Sequence, residues 1–195
     1  GFAGAAVATK AWIEQQLSPN SPMQPLTSVK SQDELLASIS EQLSTVTDKA
    51  RPRALVIGAK GRSGQGAVKF FKAADIDVTE WDLEETKKGG PFPEILEFDI
   101  LVNCVFVQFK IPPFLTLDML KQTRNLSIIC DVSCDPYGDY NPLPIYEKCT
   151  TFAEPRLRLI DGEQPLDLVA IDHLPSLLPV ESSEDYCAQL LPHIL

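Results

Sequence analysis

The spacing of apolar residues predicts two helices at the start of the chain. Residues 3–17 are rich in alanine and other good helix formers, and this helix is expected to end where a proline-rich stretch begins. Ser31 and Glu34 then have the spacing of a capping box. After them, apolar residues recur every three or four positions, at Leu35, Leu36, Ile39, Leu43 and Val46. The sequence therefore predicts a second helix over residues 31–46.

Short, almost continuous apolar runs follow and predict strands. They cover residues 54–58, 77–82, 99–107 and 126–133, and a further strand is expected in the run that begins at residue 166. A closing helix is expected over 182–195. Strands that are apolar on both sides suit a parallel sheet covered on both faces. We predict an α/β fold: a doubly wound, Rossmann-like parallel sheet with helices on both faces.

Charge and cysteine content exclude several kinds of partner. The 17 basic and 27 acidic side chains give a net charge of -10, which opposes binding to a polyanion, so no nucleic acid partner is expected. No run of eighteen apolar residues is present, so no membrane association is expected. Five scattered cysteines, an odd number, indicate a reduced, cytoplasmic chain. Cys130 and Cys134 lack the spacing of a metal pair, and no metal site is expected.

A glycine cluster follows the first predicted strand. Glycines at 58, 61, 64 and 66 give G-x-x-G-x-x-G-x-G where the common dinucleotide fingerprint is G-x-G-x-x-G, and Lys60 takes the place of the middle glycine. A strand that turns through glycines into a helix places helix N–H groups against a phosphate. The glycines alone are also compatible with a tight turn that binds nothing.

Asp82 adds a second feature of dinucleotide binding. It ends the second predicted strand, 24 residues after Gly58, where an acid accepts hydrogen bonds from the adenosine ribose. The residues that follow, "LEET", add two acids and no arginine, so a 2'-phosphate would meet like charge. The sequence thus favours NAD over NADP. The alternative is an acid that only closes a turn.

The remaining strand ends carry further candidates. Phe106 and Val132 lie at the ends of the third and fourth predicted strands, where they would flank adenine and ribose or belong to the core. Asn103 and Asp131 are polar residues beside buried strands and need partners, which leaves both a ligand contact and a structural role open.

Other catalytic patterns are weak or missing. His173 follows Asp172 at a strand end. A histidine at this position can act as a general acid or base, or it can cap the loop. The sequence has no G-x-S-x-G hydrolase elbow, and its glycine loop lacks the G-K-[ST] ending of a P-loop. Triphosphate hydrolysis is disfavoured.

Five segments together resemble one enzyme family. They are "GFAGAA", "LVIGAKGRSGQGA", "EWDLEETKKGGPF", "DVSCDPYGDYNPLPIY" and "AIDHLPSLLP", in this order. They resemble the cofactor domain of the NAD-dependent, lysine-forming saccharopine dehydrogenases of the fungal lysine pathway. Alanine dehydrogenase and transhydrogenase are related and share a two-domain plan.

The resemblance implies a set of cofactor contacts. They are Gly58, Gly61, Arg62 and Ser63 in the glycine turn, with Gly61 and Arg62 at the pyrophosphate; Asp82 and Thr86 at the adenosine ribose; Phe106 and Val132 at the adenine side; and Ile171, Asp172, His173 and Leu174 at the nicotinamide end. The family often has tyrosine at position 106, so a hydroxyl contact is not expected there. Position 63 can be cysteine in relatives, and thiol chemistry is not expected at this serine.

The resemblance also implies what the chain does. The intact enzyme would oxidatively cleave saccharopine to L-lysine and 2-oxoglutarate in the α-aminoadipate pathway of lysine biosynthesis. The family's catalytic lysine and histidine come from a substrate domain that precedes the position of Gly1. We therefore expect no catalytic residue in this chain, with neither Lys60 nor His173 filling those roles, and no activity of the chain alone.

The expected organisation follows from these features. Residues 1–50 are predicted to be a helical N-terminal extension packing on the sheet, and residues 51–195 a dinucleotide-binding domain, together one domain excised from a two-domain, monomeric enzyme. The alternative from another class is a non-catalytic dinucleotide-sensing module, because fold alone does not define function.

Overall fold

The computed structural model describes residues 1–47 and 50–194, which form one six-stranded sheet and five α-helices. The strands are β1 Arg53–Ile57, β2 Asp77–Trp81, β3 Ile100–Asn103, β4 Ile128–Asp131, β5 Leu157–Ile160 and β6 Leu166–Val169. The helices are α1 Phe2–Leu17, α2 Gln32–Ser44, α3 Arg62–Ala73, α4 Leu83–Thr86 and α5 Pro179–Ile194. Short 3₁₀ helices cover Pro93–Glu97, Met119–Lys121 and Leu174–Leu177.

The strand order confirms the predicted fold class. The order is β2-β1-β3-β4-β6-β5, and every neighbouring pair is parallel except β5 with β6. From β1 the chain crosses to β2 on one side and then returns to β3 on the other. Such a reversal between β1 and β3 opens a crevice at the carboxyl ends of the strands, where doubly wound sheets bind ligands.

The two faces of the sheet are covered differently. Ala54 and Val56 face a core shared with α1, α2 and α3. Leu55 and Ile57 face a second core, which is closed by the 3₁₀ helices at 93–97 and 119–121 and by irregular segments. The expected helices on both faces are thus α-helices on one face and short 3₁₀ helices on the other.

Both predicted N-terminal helices are confirmed. Helix α1 is buried on nearly all sides, as its alanine-rich composition allows, and a Cβ at Gly4 would lie 2.8 Å from Cγ2 of Val132 after β4. The N–H of Glu34 donates to the Ser31 hydroxyl at 3.1 Å at the start of α2. The closing helix α5 begins at Pro179, three residues before the predicted start, and the predicted end at residue 195 lies outside the described residues.

The second, third and fourth predicted strands were too long, and one strand was missed. The third ends at Asn103, whose side-chain amide donates to Asp131 on β4, and the chain then leaves the sheet. Strand β5 was not predicted, because it is a half-buried edge strand in which arginine and leucine alternate. No helix in the described part of the chain is long and apolar enough to cross a membrane.

The predicted domain division is not decided by these contacts. Side chains of α1 share one core with Val56 of β1 and Val102 of β3, so the N-terminal segment packs on the sheet. Residues 48 and 49, beside the proposed boundary at 50, lie outside the described residues. The division into 1–50 and 51–195 remains a prediction.

Candidate functional site

The glycine turn after β1 is held to the end of β2. Gly58 has a φ of +82°, a left-handed conformation that favours glycine, and a Cβ there would lie 2.9 Å from Cγ2 of Val105. The N–H groups of Gly58 and Ala59 both donate to the carbonyl of Trp81, at 2.9 and 3.0 Å. The turn therefore has a fixed position relative to the acid that follows Trp81.

Helix α3 begins directly on this turn. A Cβ at Gly64 would lie only 2.0 Å from the carbonyl oxygen of Gly58, so the close approach of helix and turn requires glycine. Gly61 is the N-cap and has no side chain to bind the N–H groups of the first helical turn. Arg62 and Ser63 lie exposed at this end of the helix. The residues form a cradle that fits a phosphate group.

Arg62 has a partner within the chain. Its guanidinium donates to the side-chain oxygen of Gln189 on α5. The predicted contact of Arg62 with a pyrophosphate would require the side chain to turn from α5 towards the helix start, and it remains a prediction.

Asp82 lies between the glycine turn and α4. Its Oδ2 accepts the N–H of Lys60 at 2.9 Å, and its Oδ1 accepts the N–H of Leu83 at 2.8 Å. These two backbone hydrogen bonds, first that from Leu83 and then that from Lys60, hold the pKa of the Asp82 carboxyl below its ordinary value. A carboxylate oxygen can accept more than one hydrogen bond, so the half-buried Asp82 can still bind a ribose hydroxyl.

The start of α4 explains the position of Thr86. Asp82 and Glu85 form a capping box in which Glu85 Oε2 accepts the N–H of Asp82 at 2.7 Å. The Thr86 hydroxyl donates to the carbonyl of Asp82 at 2.8 Å, which leaves its oxygen as an acceptor. Glu84 and Glu85 are exposed beside Asp82, so the local charge disfavours a 2'-phosphate.

The residues after β3 and β4 differ in exposure. Phe106 is 66% exposed beyond the end of β3, so one face of its ring is open to a ligand. Val132 is half-buried against the core below α1, and its N–H donates to the carbonyl of Asn103 at 2.9 Å. Phe106 is therefore not a core residue, and Val132 is a core residue in part.

Asn103 and Asp131, which the sequence left open, form a buried network within the chain. The Asn103 amide donates to Asp131 Oδ1 at 3.0 Å, and the Tyr146 hydroxyl donates to Asp131 Oδ2 at 2.7 Å. Burial raises the pKa of the Asp131 carboxyl, although both hydrogen bonds act in the opposite direction. These contacts support the structural role. No periodic pattern pointed to Tyr146, which lies in an irregular segment.

The end of β6 presents the last predicted residues. Ile171 and Leu174 are buried, and Ile171 forms a parallel bridge with Thr150. Asp172 and His173 are exposed, and the His173 ring lies 5.0 Å from the ring of Phe152. The two buried residues can shape a surface, and only the exposed pair offers polar groups to a ligand.

All twelve predicted residues lie on segments at the carboxyl ends of β1, β2, β3, β4 and β6, together with the start of α3. The structure thus brings their backbone segments to one edge of the sheet.

A separate groove of about 550 Å³ lies at the opposite edge, and Arg53, Asp99 and Ser127 contribute to its lining. Arg124 in that groove donates hydrogen bonds to the backbone carbonyls of Leu120, Leu126 and Gln164, so its role is structural.

The cysteines do not form a metal cluster in the described residues. Within 1–47 and 50–194 there is no group of three histidine, cysteine, aspartate or glutamate side chains that could hold a metal ion. Cys134 has Cys149, and not Cys130, as its thiol partner, at 3.4 Å between the sulfurs.

Sheet order, glycine turn and strand-end acid define the class of the protein. It is a Rossmann-like α/β domain, the fold type that holds dinucleotides at the carboxyl edge of its strands. Within this class, the resemblance to the NAD(+)-dependent, L-lysine-forming saccharopine dehydrogenases is confirmed along the whole chain.

Three relatives with that name show the extent of the match. The protein of Emericella nidulans is 46% identical, that of Yarrowia lipolytica 43% and that of Schizosaccharomyces pombe 41%. Each alignment covers 100% of this chain and 55% of the relative, so the chain spans about half the length of these curated proteins. No protein-family model matches the sequence. The relatives and the fold together indicate a dinucleotide cofactor.

Proposed function

We propose that this chain is the NAD-binding part of a lysine-forming saccharopine dehydrogenase. The observation that carries the proposal is the position of Asp82, whose carboxylate is fixed 2.9 Å from the backbone N–H of Lys60 in the glycine turn. The similarity of the whole chain to about half the length of saccharopine dehydrogenases supports the same conclusion. The pathway of lysine biosynthesis, a cytoplasmic location and a monomeric state belong to this proposal.

The residues have distinct roles in the proposal. The first turn of α3, with Gly61, Arg62 and Ser63, binds the pyrophosphate through backbone N–H groups and the guanidinium. The side chains of Asp82 and Thr86 accept hydrogen bonds from the adenosine ribose hydroxyls.

The other strand ends hold the two rings of the cofactor. Phe106 and Val132 provide an apolar surface on the adenine side, and residues 171–174 border the nicotinamide end. The bound nicotinamide would supply the hydride acceptor for the oxidation of saccharopine at its secondary amine, and hydrolysis would then release lysine and 2-oxoglutarate. The part of the chain described here binds and orients the cofactor.

Replacing Asp82 tests the cofactor assignment. We expect Asp82→Ala to weaken NADH binding by about 1.5 to 3 kcal/mol, or roughly tenfold to more than a hundredfold, because a charge-assisted acceptor for the ribose is lost. Titration calorimetry of the 195-residue chain at neutral pH measures this change.

Two further variants separate ribose binding from the capping role of Asp82. Asp82→Asn keeps a good N-cap and one acceptor oxygen but removes the charge, so its NADH affinity should fall between the wild type and Asp82→Ala. Asp118→Ala removes an exposed acid that pairs with Lys121, three residues along the chain, and it should leave the affinity unchanged. Equal affinities of the wild type and Asp82→Ala would contradict the assignment.

Cofactor preference gives a second test of the same site. Leu83 is 70% exposed, so an arginine there can reach a 2'-phosphate without displacing core residues. We expect the double variant Asp82→Ser with Leu83→Arg to bind NADPH at least about tenfold more tightly than the wild type does, because repulsion is replaced by a charge-assisted bond. Calorimetric titrations with NADH and NADPH give the ratio of the two affinities. A ratio that stays at the wild-type value would place the adenosine ribose elsewhere.

A further inference from the structure

Cys134 and Cys149 form a close pair of thiols that the proposed function does not use. Their sulfurs lie 3.4 Å apart, and both cysteines are free. A disulfide requires about 2.0 Å between sulfurs, so an approach of roughly 1.4 Å would bring the two sulfurs to bonding distance. Neither cysteine lies in a strand of the sheet, so the approach involves the two loop segments that carry them.

The position of the pair in the fold gives it a structural consequence. Cys134 follows β4 by three residues and has a φ of +47°, in the left-handed region. Cys149 directly precedes Thr150, which forms the parallel bridge with Ile171. A bond between the two cysteines would thus join the segment after β4 to the segment that borders the end of β6.

We propose that Cys134 and Cys149 are a site of reversible disulfide formation. The oxidant is a small-molecule disulfide. One cysteine thiolate attacks it, forms a mixed disulfide and releases one small thiol; the second cysteine then attacks the protein sulfur of that mixed disulfide and releases the other small thiol. The two cysteines lose two protons and two electrons, and the small disulfide is reduced to two thiols.

Exposure decides the order of these two attacks. Cys149 is half-buried, whereas Cys134 is only 9% exposed, so Cys149 is the residue that a small disulfide reaches first. Burial, followed by its contact with Cys149, raises the pKa of the Cys134 thiol. Because the thiolate is the nucleophile, closure by Cys134 should be faster at alkaline pH than at neutral pH.

The other cysteines differ from this pair. Cys130 is fully buried, and burial raises the pKa of Cys104 to about 11. Cys187 is exposed on α5 and can form adducts with a small disulfide. The variant Cys187→Ser therefore provides the background in which the pair is tested.

The experiment is oxidation of the Cys187→Ser chain with oxidised glutathione at alkaline pH. Free thiols are then blocked with iodoacetamide, and the chain is digested without reduction and analysed by mass spectrometry. We expect a crosslink between the peptides of Cys134 and Cys149, which dithiothreitol removes. Oxidation should also raise the midpoint of thermal unfolding by about 5 °C, because the bond closes a loop of roughly 15 residues.

Two single variants complete the test. In Cys149→Ser and in Cys134→Ala, the crosslink and the rise in unfolding temperature should both disappear. The proposal is overturned if the oxidised chain contains no crosslink between residues 134 and 149, if glutathione adducts accumulate without closure, or if the crosslink joins Cys104 to Cys130.

Discussion

Asp167→Ala should destabilise the chain by about 3 to 5 kcal/mol, among the largest effects expected of a single substitution here. Asp167 lies on β6, and its side chain is fully buried. Its Oδ1 accepts the Nε–H of Arg158 at 2.5 Å, and its Oδ2 lies 3.3 Å from Nη1 of Arg156. Removal of the carboxylate leaves the Arg156 side chain, only 5% exposed, without its counter-charge.

The effect of Asp167 should be confined to stability. The residue lies near the amino end of β6, at the edge of the sheet opposite the glycine turn. Its Oδ2 also accepts the side-chain amide of Gln15 at 2.7 Å, which ties α1 to β6. Urea unfolding should therefore show a lower midpoint, and NADH affinity of the folded variant should be unchanged.

An exposed acid provides the control for this prediction. Asp118 pairs with Lys121 at 2.8 Å, and both side chains are largely exposed to solvent. Asp118→Ala should leave the midpoint of urea unfolding almost unchanged, because solvent screens exposed ion pairs. A loss below about 1 kcal/mol for Asp167→Ala would show that the buried pairs do not stabilise the fold.

Local patterns in the sequence were sufficient to predict the main elements. Helix α1, the capped start of α2 and strands β1 and β2 all follow from periodicity, helix formers and a cap within a few residues. The glycine turn and Asp82 were also predictable, because one lies at the end of β1 and the other at the end of β2, a spacing that the first β-α-β unit fixes. Their contact at the N–H of Lys60 follows from parallel pairing of the two strands.

Features that depend on distant residues could not be predicted. Asn103 and Asp131 were identified as polar residues that need partners, but Tyr146 comes from an irregular segment whose path has no periodic signal. Strand β5 was missed for a related reason. Arg158 on β5 pairs with Asp167 on β6, and a buried ion pair between two strands leaves no pattern within either one.

The largest expected effect concerns activity. We expect the 195-residue chain alone to fold and bind NADH but to show no saccharopine-dependent reduction of NAD. In the proposed function, this chain binds the cofactor, whereas a second lobe binds the substrate and takes its proton. Positioning of a substrate against catalytic groups contributes roughly 7 to 11 kcal/mol to the lowering of a barrier, or about 10⁵- to 10⁸-fold in rate. The absorbance of NADH during incubation with saccharopine and NAD measures the rate.

The comparison needs the full-length product of the same gene under identical conditions. Saccharopine-dependent turnover by that product, together with NADH binding but no turnover by the 195-residue chain, would place the catalytic groups outside this chain. Turnover by the chain within about tenfold of the full-length rate would overturn the expectation and make Lys60, Arg62, Asp172 and His173 the first candidates for catalysis. A full-length product that binds NADH without any turnover would instead favour a dinucleotide-sensing protein, because the same glycine turn and Asp82 can bind NAD to set a conformation.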